Sequence, residues 1–326
     1  MTSIKFNLQA GIPTLDLRRY TKGTDADKKA FAEELGAAYR QVGFAAISGH
    51  GVRDKLIKEM YSEVKSFFSM PKKDKLKYSL SGSNNQRGFV KFGQEHAKGN
   101  DSADLKEFWQ VGQTQIPNGA DLSHYPPNVV VDEFPEFSKR ADELYKSLES
   151  VGIIVLEAIA MHLELPLDYF TGYMKGGNSI LRAIHYPPIT NEPDSSVRSA
   201  AHEDINLITL LIGASASGLE VMGVDGKWNK VTADSEHIVM NCGDMLQRLT
   251  NHQLKSTTHR VVNPPRELWH TPRYSIPFFC HPQPHMKLDA LSQCVPAGAS
   301  PVDEPITAGE YLNERLTEIG LKNQQK

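Results

Sequence analysis

Residues 202–211 have the sequence HEDINLITLL, in which a histidine and an aspartate two positions apart run directly into an apolar stretch. In an extended chain, residues i and i+2 project from the same face, so His202 and Asp204 can converge on one ion. Glu203 would point the other way, where we expect it to meet solvent or a lysine. A His-x-Asp pair is a weak signal alone, because a chain with twelve histidines can contain one by chance. Its position at the start of a strand gives it weight.

The stretch is one of several short apolar runs that follow one another from about residue 179. Glycine, proline, asparagine or aspartate separates most of them, and this regular alternation of strands and turns favours a β-sandwich or barrel. The runs cover residues 180–186, 205–212, 219–222, 228–231, 237–241, 255–262 and 273–280.

The remainder of the chain has helical spacing of apolar residues, with short strands near the beginning. We predict helices over residues 24–41, 54–70, 134–165 and 307–321, and strands over 12–17 and 43–48. The lysines at 72, 73, 75 and 77 are interpreted as a solvated helix end. Together the elements predict a mainly β jelly-roll core with helical padding. We expect one domain over 1–326, with a helix-rich part (1–178), a catalytic core (179–282) and a C-terminal extension with a helix (283–326).

Composition limits the class of protein. With 40% hydrophobic and 23% charged residues in 326, the chain is typical of a soluble globular protein. The net charge of −3 removes the electrostatic case for a nucleic-acid partner. The longest apolar stretch, 151–161, contains a glutamate and is too short to cross a bilayer, so we expect no membrane partner. Three cysteines without a CxxC pair indicate a reduced, cytoplasmic protein.

A metal site needs a third ligand, and His259 is the best candidate. It lies in the β-like run KSTTHRV at 255–261, and the 54 residues between Asp204 and His259 can supply the intermediate strands. Two imidazoles and one carboxylate leave three coordination positions open, as in non-haem Fe(II) oxygenases. The same three ligands could hold zinc in a hydrolase or a binding protein, and the residues alone do not separate these alternatives.

Arg273-Tyr274-Ser275 follows His259 by fourteen residues, in the next strand-like run. Strand alternation places Arg273 and Ser275 on the same face. A guanidinium beside a hydroxyl is suited to binding a carboxylate through a bidentate contact and one further hydrogen bond.

Several ordered motifs extend the pattern along nearly the whole chain. They are GFAAISGHGV at 43–52, RGF at 87–89, DLKEF at 104–108, RAIHYPP at 182–188, GLEV at 218–221, NCGDMLQ at 241–247 and the TN, KS and HRV segments between 250 and 261. In this order they resemble the isopenicillin N synthase-like branch of the Fe(II)- and 2-oxoglutarate-dependent dioxygenases. The chain departs from the family pattern at Ser48-Gly49, where an asparagine usually precedes the histidine.

The resemblance implies a distorted double-stranded β-helix braced by N-terminal helices. It implies that His202, Asp204 and His259 hold Fe(II), that Arg273 and Ser275 hold the distal carboxylate of 2-oxoglutarate, and that Tyr186 reaches the co-substrate or the substrate. The implied reaction uses O₂ to hydroxylate, desaturate or cyclise a small molecule, releasing succinate and CO₂. Asn241 and Asp244 are interpreted as structural turn residues.

Isopenicillin N synthase itself uses no 2-oxoglutarate and binds its substrate with the Arg-x-Ser pair, so an oxidase of that type remains an alternative. The sequence after Gly243, Asp244-Met245-Leu246-Gln247, favours the 2-oxoglutarate users. The side chains of His185, Phe92 and Phe279 are candidates for the substrate pocket. We expect a monomer or weak oligomer, and we interpret the tail at 323–326 as an ordinary frayed terminus.

Overall fold

The computed structural model describes residues 11–80, 85–97, 102–213, 215–231 and 236–321, so the tail at 323–326 lies outside it. This part of the chain contains twelve strands and eight α-helices. The strands are β1 (Thr14–Asp16), β2 (Phe44–Ser48), β3 (Gly88–Val90), β4 (Glu107–Gly112), β5 (Ile180–Tyr186), β6 (Ser199–His202), β7 (Ile208–Ile212), β8 (Leu219–Met222), β9 (Trp228–Lys230), β10 (Ile238–Cys242), β11 (His259–Val261) and β12 (Arg273–Cys280). The helices are α1 (Arg18–Thr21), α2 (Asp25–Gln41), α3 (Asp54–Phe68), α4 (Lys72–Lys75), α5 (Pro135–His162), α6 (Thr171–Met174), α7 (Asp244–Leu249) and α8 (Ala308–Glu318).

Two β-sheets form the core. The larger has eight strands in the order β1-β2-β10-β7-β12-β5-β4-β3, and the smaller has four in the order β6-β11-β8-β9. Every pairing is antiparallel except that of β1 with β2. Apolar residues of both sheets meet in shared clusters: Val221 of β8 with Val239 of β10, and Val261 of β11 with Ile184 of β5. The predicted double-stranded β-helix with helical support is confirmed.

The larger sheet continues across the division that we predicted at residue 178. Strand β2 pairs with β10, and β4 pairs with β5 along six residues, from Glu107 opposite His185 to Gly112 opposite Ile180. The N-terminal part therefore contributes four strands to the larger sheet, of which two were predicted. Strands β3, β4 and β6 were not predicted, because β3 and β6 are only three and four residues long and every residue of β4 is buried, which removes the alternation of polar and apolar residues.

Helices α2, α3 and α5 cover the outer face of the larger sheet. Leu35 of α2, Val64 of α3 and Val155 of α5 are fully buried in the same apolar cluster as Leu210 of β7. Helices α2 and α8 each begin with a capping box, formed by Thr24 with Asp27 and by Thr307 with Glu310. No α-helix in the described part of the chain combines the length and the apolarity that a membrane span requires.

The lysine cluster differs from its interpretation at one position. Lys72, Lys73 and Lys77 are exposed, but Lys75 is only 6% exposed. Its Nζ lies 2.6 Å from Glu107 Oε1 and donates to the carbonyl of Phe68 at 3.3 Å. Helix α4 is a single turn, and its last residue turns inward to a carboxylate on β4. The expectation of full solvation was wrong for Lys75, because its partner is remote in sequence.

Substitution of Gly36 tests the packing of α2 on α5. A Cβ at this position would lie 2.2 Å from the ring of His162, whose side chain is buried. We expect Gly36→Ala to destabilise the fold by about 1–3 kcal/mol, because the buried ring cannot move aside freely. Chemical denaturation measures the effect, with Gly172→Ala as control, since nothing lies within 4 Å of a Cβ there. Equal midpoints for the two variants would contradict this account of the packing.

Candidate metal centre and adjoining cavity

His202, Asp204 and His259 come together at one end of the smaller sheet. His202 ends β6, His259 begins β11, and their Cα atoms are direct partners across the antiparallel pair. The two imidazole rings are 4.4 Å apart between centroids. Asp204 Oδ1 lies 3.9 Å from His202 Nε2 and 3.8 Å from His259 Nε2. One ligand atom of each residue lies within 4.8 Å of the others, a spacing that can hold a metal ion.

Hydrogen bonds to the backbone fix which nitrogen of each ring faces the cluster. His202 Nδ1 lies 2.7 Å from the carbonyl oxygen of Ala200, and His259 Nδ1 lies 3.1 Å from that of Thr257. A carbonyl oxygen can only accept, so both Nδ1 atoms donate. The Nε2 lone pairs are then directed towards Asp204, as in histidines that ligate metals.

Two hydrogen bonds fix the second carboxylate oxygen of Asp204. Asp204 Oδ2 accepts hydrogen bonds from Thr209 Oγ1 at 2.6 Å and from Asn241 Nδ2 at 2.8 Å, which leaves Oδ1 for the cluster. Burial alone would raise the pKa of Asp204, but His259 and His202 outweigh it and the pKa is lowered. Burial, reinforced by His259, lowers the pKa of His202 to about 4. Near neutral pH the site therefore offers a carboxylate and an uncharged imidazole, the forms that bind a cation.

Two residues near the cluster make contacts that the sequence did not predict. Asn241 lies in β10 rather than in a turn, and it orients the carboxylate of Asp204. Its position follows from the register of β10 on β7, where Asn241 stands opposite Thr209, and the sequence does not reveal that register. Glu203 was expected to meet solvent or a lysine; it is partly exposed, and it accepts a hydrogen bond from Thr258 Oγ1 at 2.9 Å rather than contacting a lysine. Because Glu203 follows His202 and Thr258 precedes His259, this hydrogen bond links the two histidine-bearing segments.

A cavity of about 350 Å³ lies against the cluster, between the inner faces of the two sheets. Arg273, Ser275 and Tyr186 all line it. Arg273 is 2% exposed, and its Nε donates to the carbonyl of Ala216 at 3.1 Å. Its Nη1 has no hydrogen-bond partner among the described residues. A buried, unpaired guanidinium nitrogen beside a hydroxyl suits a carboxylate ligand.

Tyr186 faces Arg273 across the strand pair. The two residues are direct partners between β5 and β12, and the guanidinium carbon lies 4.9 Å from the centre of the tyrosine ring. Both are buried. The ring therefore supports the arginine from the side, by a cation–π contact.

Of the three candidate pocket residues, only Phe279 lines the cavity. His185 projects from the opposite face of β5, because its neighbour Tyr186 faces inward. There its Nδ1 lies 2.8 Å from Glu107 Oε1 and its ring stacks on Tyr274 at 4.8 Å. Phe92 is 46% exposed and lies in the turn after β3. The predictions for His185 and Phe92 were wrong. His185 cannot line the cavity because its neighbour Tyr186 does and side chains alternate along a strand, and Phe92 lies in a loop that faces solvent.

The sequence did not predict that Glu95, Asp104, Lys106 and Arg182 also line the cavity. Asp104, Lys106 and Arg182 lie inside motifs that were recognised, but a motif does not tell which side chains face inward. Glu95 lies in an irregular segment, where neither spacing nor a motif marks it.

The fold and the site together define a class: a double-stranded β-helix with a His-Asp-His cluster beside a buried arginine. Comparison with known proteins agrees. Residues 12–133 match the family model for the N-terminal part of non-haem dioxygenases in morphine synthesis, and residues 177–282 match that for the 2OG-Fe(II) oxygenase superfamily.

Individual relatives extend this result. The chain is 33% identical to the proline hydroxylase buaE of Petromyces alliaceus, over 94% of this chain and 98% of the relative. A solved 2OG-Fe(II) oxygenase family protein from Caulobacter crescentus is 42% identical, with a TM-score of 0.82 over 94% of this chain and 98% of its own. A full-length protein from Neurospora crassa, solved in complex with alpha-KG, is 28% identical, with a TM-score of 0.83 over 94% and 95%. The chain belongs to the Fe(II)/2-oxoglutarate-dependent oxygenases.

The predicted family, enzyme class and cofactors are thus confirmed. The protein is an oxidoreductase that uses Fe(II), 2-oxoglutarate and O₂. A small-molecule substrate is consistent with the relatives. The zinc hydrolase and the 2-oxoglutarate-independent oxidase are not supported.

Removal of the Asn241 amide tests how the carboxylate of Asp204 is oriented. We expect Asn241→Ala to weaken Fe(II) binding roughly 10–100-fold, because Asp204 loses a bond that fixes Oδ1 towards the two imidazoles. Anaerobic titration with Fe(II) measures the affinity. Asn229→Ala is the control, since Asn229 Nδ2 bonds the carbonyl of Lys227, away from the cluster. Unchanged affinity for Asn241→Ala would show that Thr209 alone suffices.

Proposed function

We propose that His202, Asp204 and His259 are the Fe(II) ligands of this oxygenase, and that Arg273 and Ser275 bind the distal carboxylate of 2-oxoglutarate. One observation carries the proposal: a cluster of three potential metal ligands and a buried guanidinium with an unpaired Nη1 line the same cavity. A ligand that must contact both a metal and a cation fits there, and 2-oxoglutarate carries a carboxylate at each end.

When bound, Fe(II) with 2-oxoglutarate and O₂ supplies the oxidising power for hydroxylation, desaturation or ring closure, with release of succinate and CO₂. In hydroxylation one oxygen atom enters the substrate and the other enters succinate. The protein contributes position and environment. His202 and His259 present their Nε2 atoms, and Asp204 presents Oδ1. Arg273 fixes the far end of the co-substrate by a charge-assisted contact, and Ser275 adds a hydroxyl.

Apolar side chains complete the reaction chamber. Ile184, Leu211, Val239 and Val261 line the cavity between the two sheets. Their apolar surface offers water no hydrogen bonds, so once the co-substrate and substrate fill the cavity, the exclusion of water would strengthen the polar contacts there and protect the reaction from solvent. Tyr186 is proposed to flank the co-substrate, since it packs on Arg273.

The domain organisation and setting of the enzyme are proposed on fewer observations. We propose a single domain, since the larger sheet takes strands from both sides of residue 178. We also propose a cytoplasmic monomer or weak oligomer that acts without nucleic-acid or membrane partners. The three cysteines, Cys242, Cys280 and Cys294, are free and buried, as suits a reducing compartment.

Loss of a metal ligand tests the first part of the proposal. We expect His202→Ala to abolish both Fe(II) retention after anaerobic purification and succinate release from labelled 2-oxoglutarate. His252→Ala serves as control, because His252 Nε2 lies 2.7 Å from Asp303 at the exposed surface. Full turnover by His202→Ala would end the ligand assignment.

Loss of the guanidinium tests the second part. Arg273→Met should weaken 2-oxoglutarate binding roughly 10–100-fold, the value of one charge-assisted hydrogen bond, while Fe(II) still binds. Anaerobic calorimetry measures both affinities: Fe(II) is titrated into the metal-free protein, and 2-oxoglutarate into the Fe(II)-loaded protein. Arg266→Met is the matched control, since the side chain of Arg266 is 80% exposed. Parent-like 2-oxoglutarate affinity in Arg273→Met would place the distal carboxylate elsewhere.

A further inference from the structure

A charged network lines part of the cavity, and the proposed binding of Fe(II) and 2-oxoglutarate does not use it. It consists of Glu95, Asp104, Lys106 and Arg182, which we call the charged wall. Glu95, Asp104 and Lys106 are each less than 9% exposed. Removing ions from water costs free energy, and a buried network of ion pairs is weak evidence of stabilisation. Stability alone therefore does not account for the charged wall.

Within the charged wall, Lys106 and the two carboxylates satisfy one another. Lys106 Nζ lies 2.6 Å from Glu95 Oε1 and 2.8 Å from Asp104 Oδ2, and it donates to Ser199 Oγ at 3.2 Å. These contacts occupy its three protons. Asp104 Oδ1 accepts the backbone N–H of Ala200 at 2.9 Å. Both oxygens of Glu95 accept from Arg182 Nη1, at 3.0 and 3.3 Å.

One guanidinium nitrogen of Arg182 has no hydrogen-bond acceptor among the described residues. Its Nε donates to Gln110 Oε1 at 3.0 Å and its Nη1 donates to Glu95, whereas Nη2 has no acceptor among the described residues. The guanidinium carbon lies 4.2 Å from the centre of the Phe108 ring and 5.1 Å from that of Phe279. These rings and bonds hold the group in a fixed orientation, and because Arg182 lines the cavity, its free Nη2 could donate to a bound ligand at little entropic cost.

The charge balance indicates what this donor binds. The wall contains two cations and two anions, and its net charge is zero. Arg315, which also lines the cavity, lies 2.6 Å from Glu318 and 3.8 Å from Asp244. Burial lowers the pKa of the lining His281 to about 4, so this ring is neutral. A substrate carboxylate bound to Arg182 would be repelled by Glu95, because the positive charge of Arg182 is already balanced by that glutamate. A neutral carbonyl oxygen could accept the same hydrogen bond without this repulsion.

We propose that Arg182 is a substrate-binding residue whose Nη2 donates to a carbonyl oxygen, and that the substrate is a small neutral molecule with an amide, lactam or imide group. The inference rests on the proposed function, because the same cavity must also hold 2-oxoglutarate. Phe279 then lies beside the bound carbonyl, since its ring packs on the same guanidinium.

Three six-membered ring compounds of similar size serve as probes: glutarimide (neutral), cyclohexanecarboxylate (anionic) and cyclohexylamine (cationic). Each is titrated anaerobically by calorimetry into protein loaded with Fe(II) and 2-oxoglutarate. We expect the parent to prefer glutarimide. Arg182→Gln combined with Glu95→Gln leaves the wall neutral and should weaken glutarimide binding roughly 10–100-fold, the value of one charge-assisted hydrogen bond.

A matched control is Arg19→Gln combined with Glu34→Gln, which removes another two-bond arginine–glutamate pair on α1 and α2. Preference for cyclohexanecarboxylate, no binding of glutarimide by the parent, or equal glutarimide affinity in parent and Arg182 variant overturns the inference. So does a parallel loss of 2-oxoglutarate affinity and melting temperature in that variant, which would mark a structural role. Failure of the proposed function is distinguishable, because the parent would then not bind 2-oxoglutarate in the loading step.

Discussion

Strands β6 and β11 pair so that His259 stands directly opposite His202, and the chemistry of the molecule depends on this register. A slip of one residue would turn one imidazole to the far side of the sheet, since side chains alternate along a strand. The register is reinforced by the bond between Thr258 and Glu203, each adjacent to one of the histidines. Backbone bonds to Nδ1 then set the rotation of each ring. The closeness of the two imidazoles in the metal cluster is therefore a product of sheet pairing.

The cavity beside this cluster contains two arginines in opposite electrostatic situations. Arg273 is buried next to Tyr186 and a backbone carbonyl and has no carboxylate partner among the described residues, so it favours an anion. Arg182 is paired with Glu95, which removes most of its attraction for a second negative charge while leaving a directional donor. On the proposed roles, the same type of side chain binds a co-substrate carboxylate at one position and discriminates against a carboxylate at the other. Pairing with a neighbour, rather than residue identity, makes the difference.

The sequence could predict those features that depend on neighbouring residues in the chain. The Arg273–Ser275 pair follows from two-residue alternation within one strand, and the bounds of β5, β8 and β12 follow from their apolar runs. The two-residue spacing also singled out His202 and Asp204, although Asp204 lies in the loop after β6 rather than in a strand. These properties are local. The sequence could also identify the family, since its motifs are short ordered segments.

What the sequence could not predict depends on contacts between remote segments. Asn241 reaches Asp204 only through the pairing of β10 with β7, and Lys75 is buried only because Glu107 lies on a neighbouring strand. The error at His185 had a different origin. The alternation that placed Arg273 and Ser275 together also separates His185 from Tyr186, and the two neighbours could not both line the cavity.

The C-terminal extension is also part of the site, which follows from two hydrogen bonds in series. Tyr311 of α8 donates to Asp244 Oδ2 at 3.0 Å, and the backbone N–H of Asp244 donates to the carbonyl of Asp204 at 2.7 Å. Helix α8 also places Leu312 and Leu316 in the lining of the cavity. One element thus braces the loop that carries the carboxylate ligand candidate and closes the chamber above it. A change in the packing of α8 would therefore alter the position of Asp204 and the shape of the cavity together, because side chains of the same helix contact both.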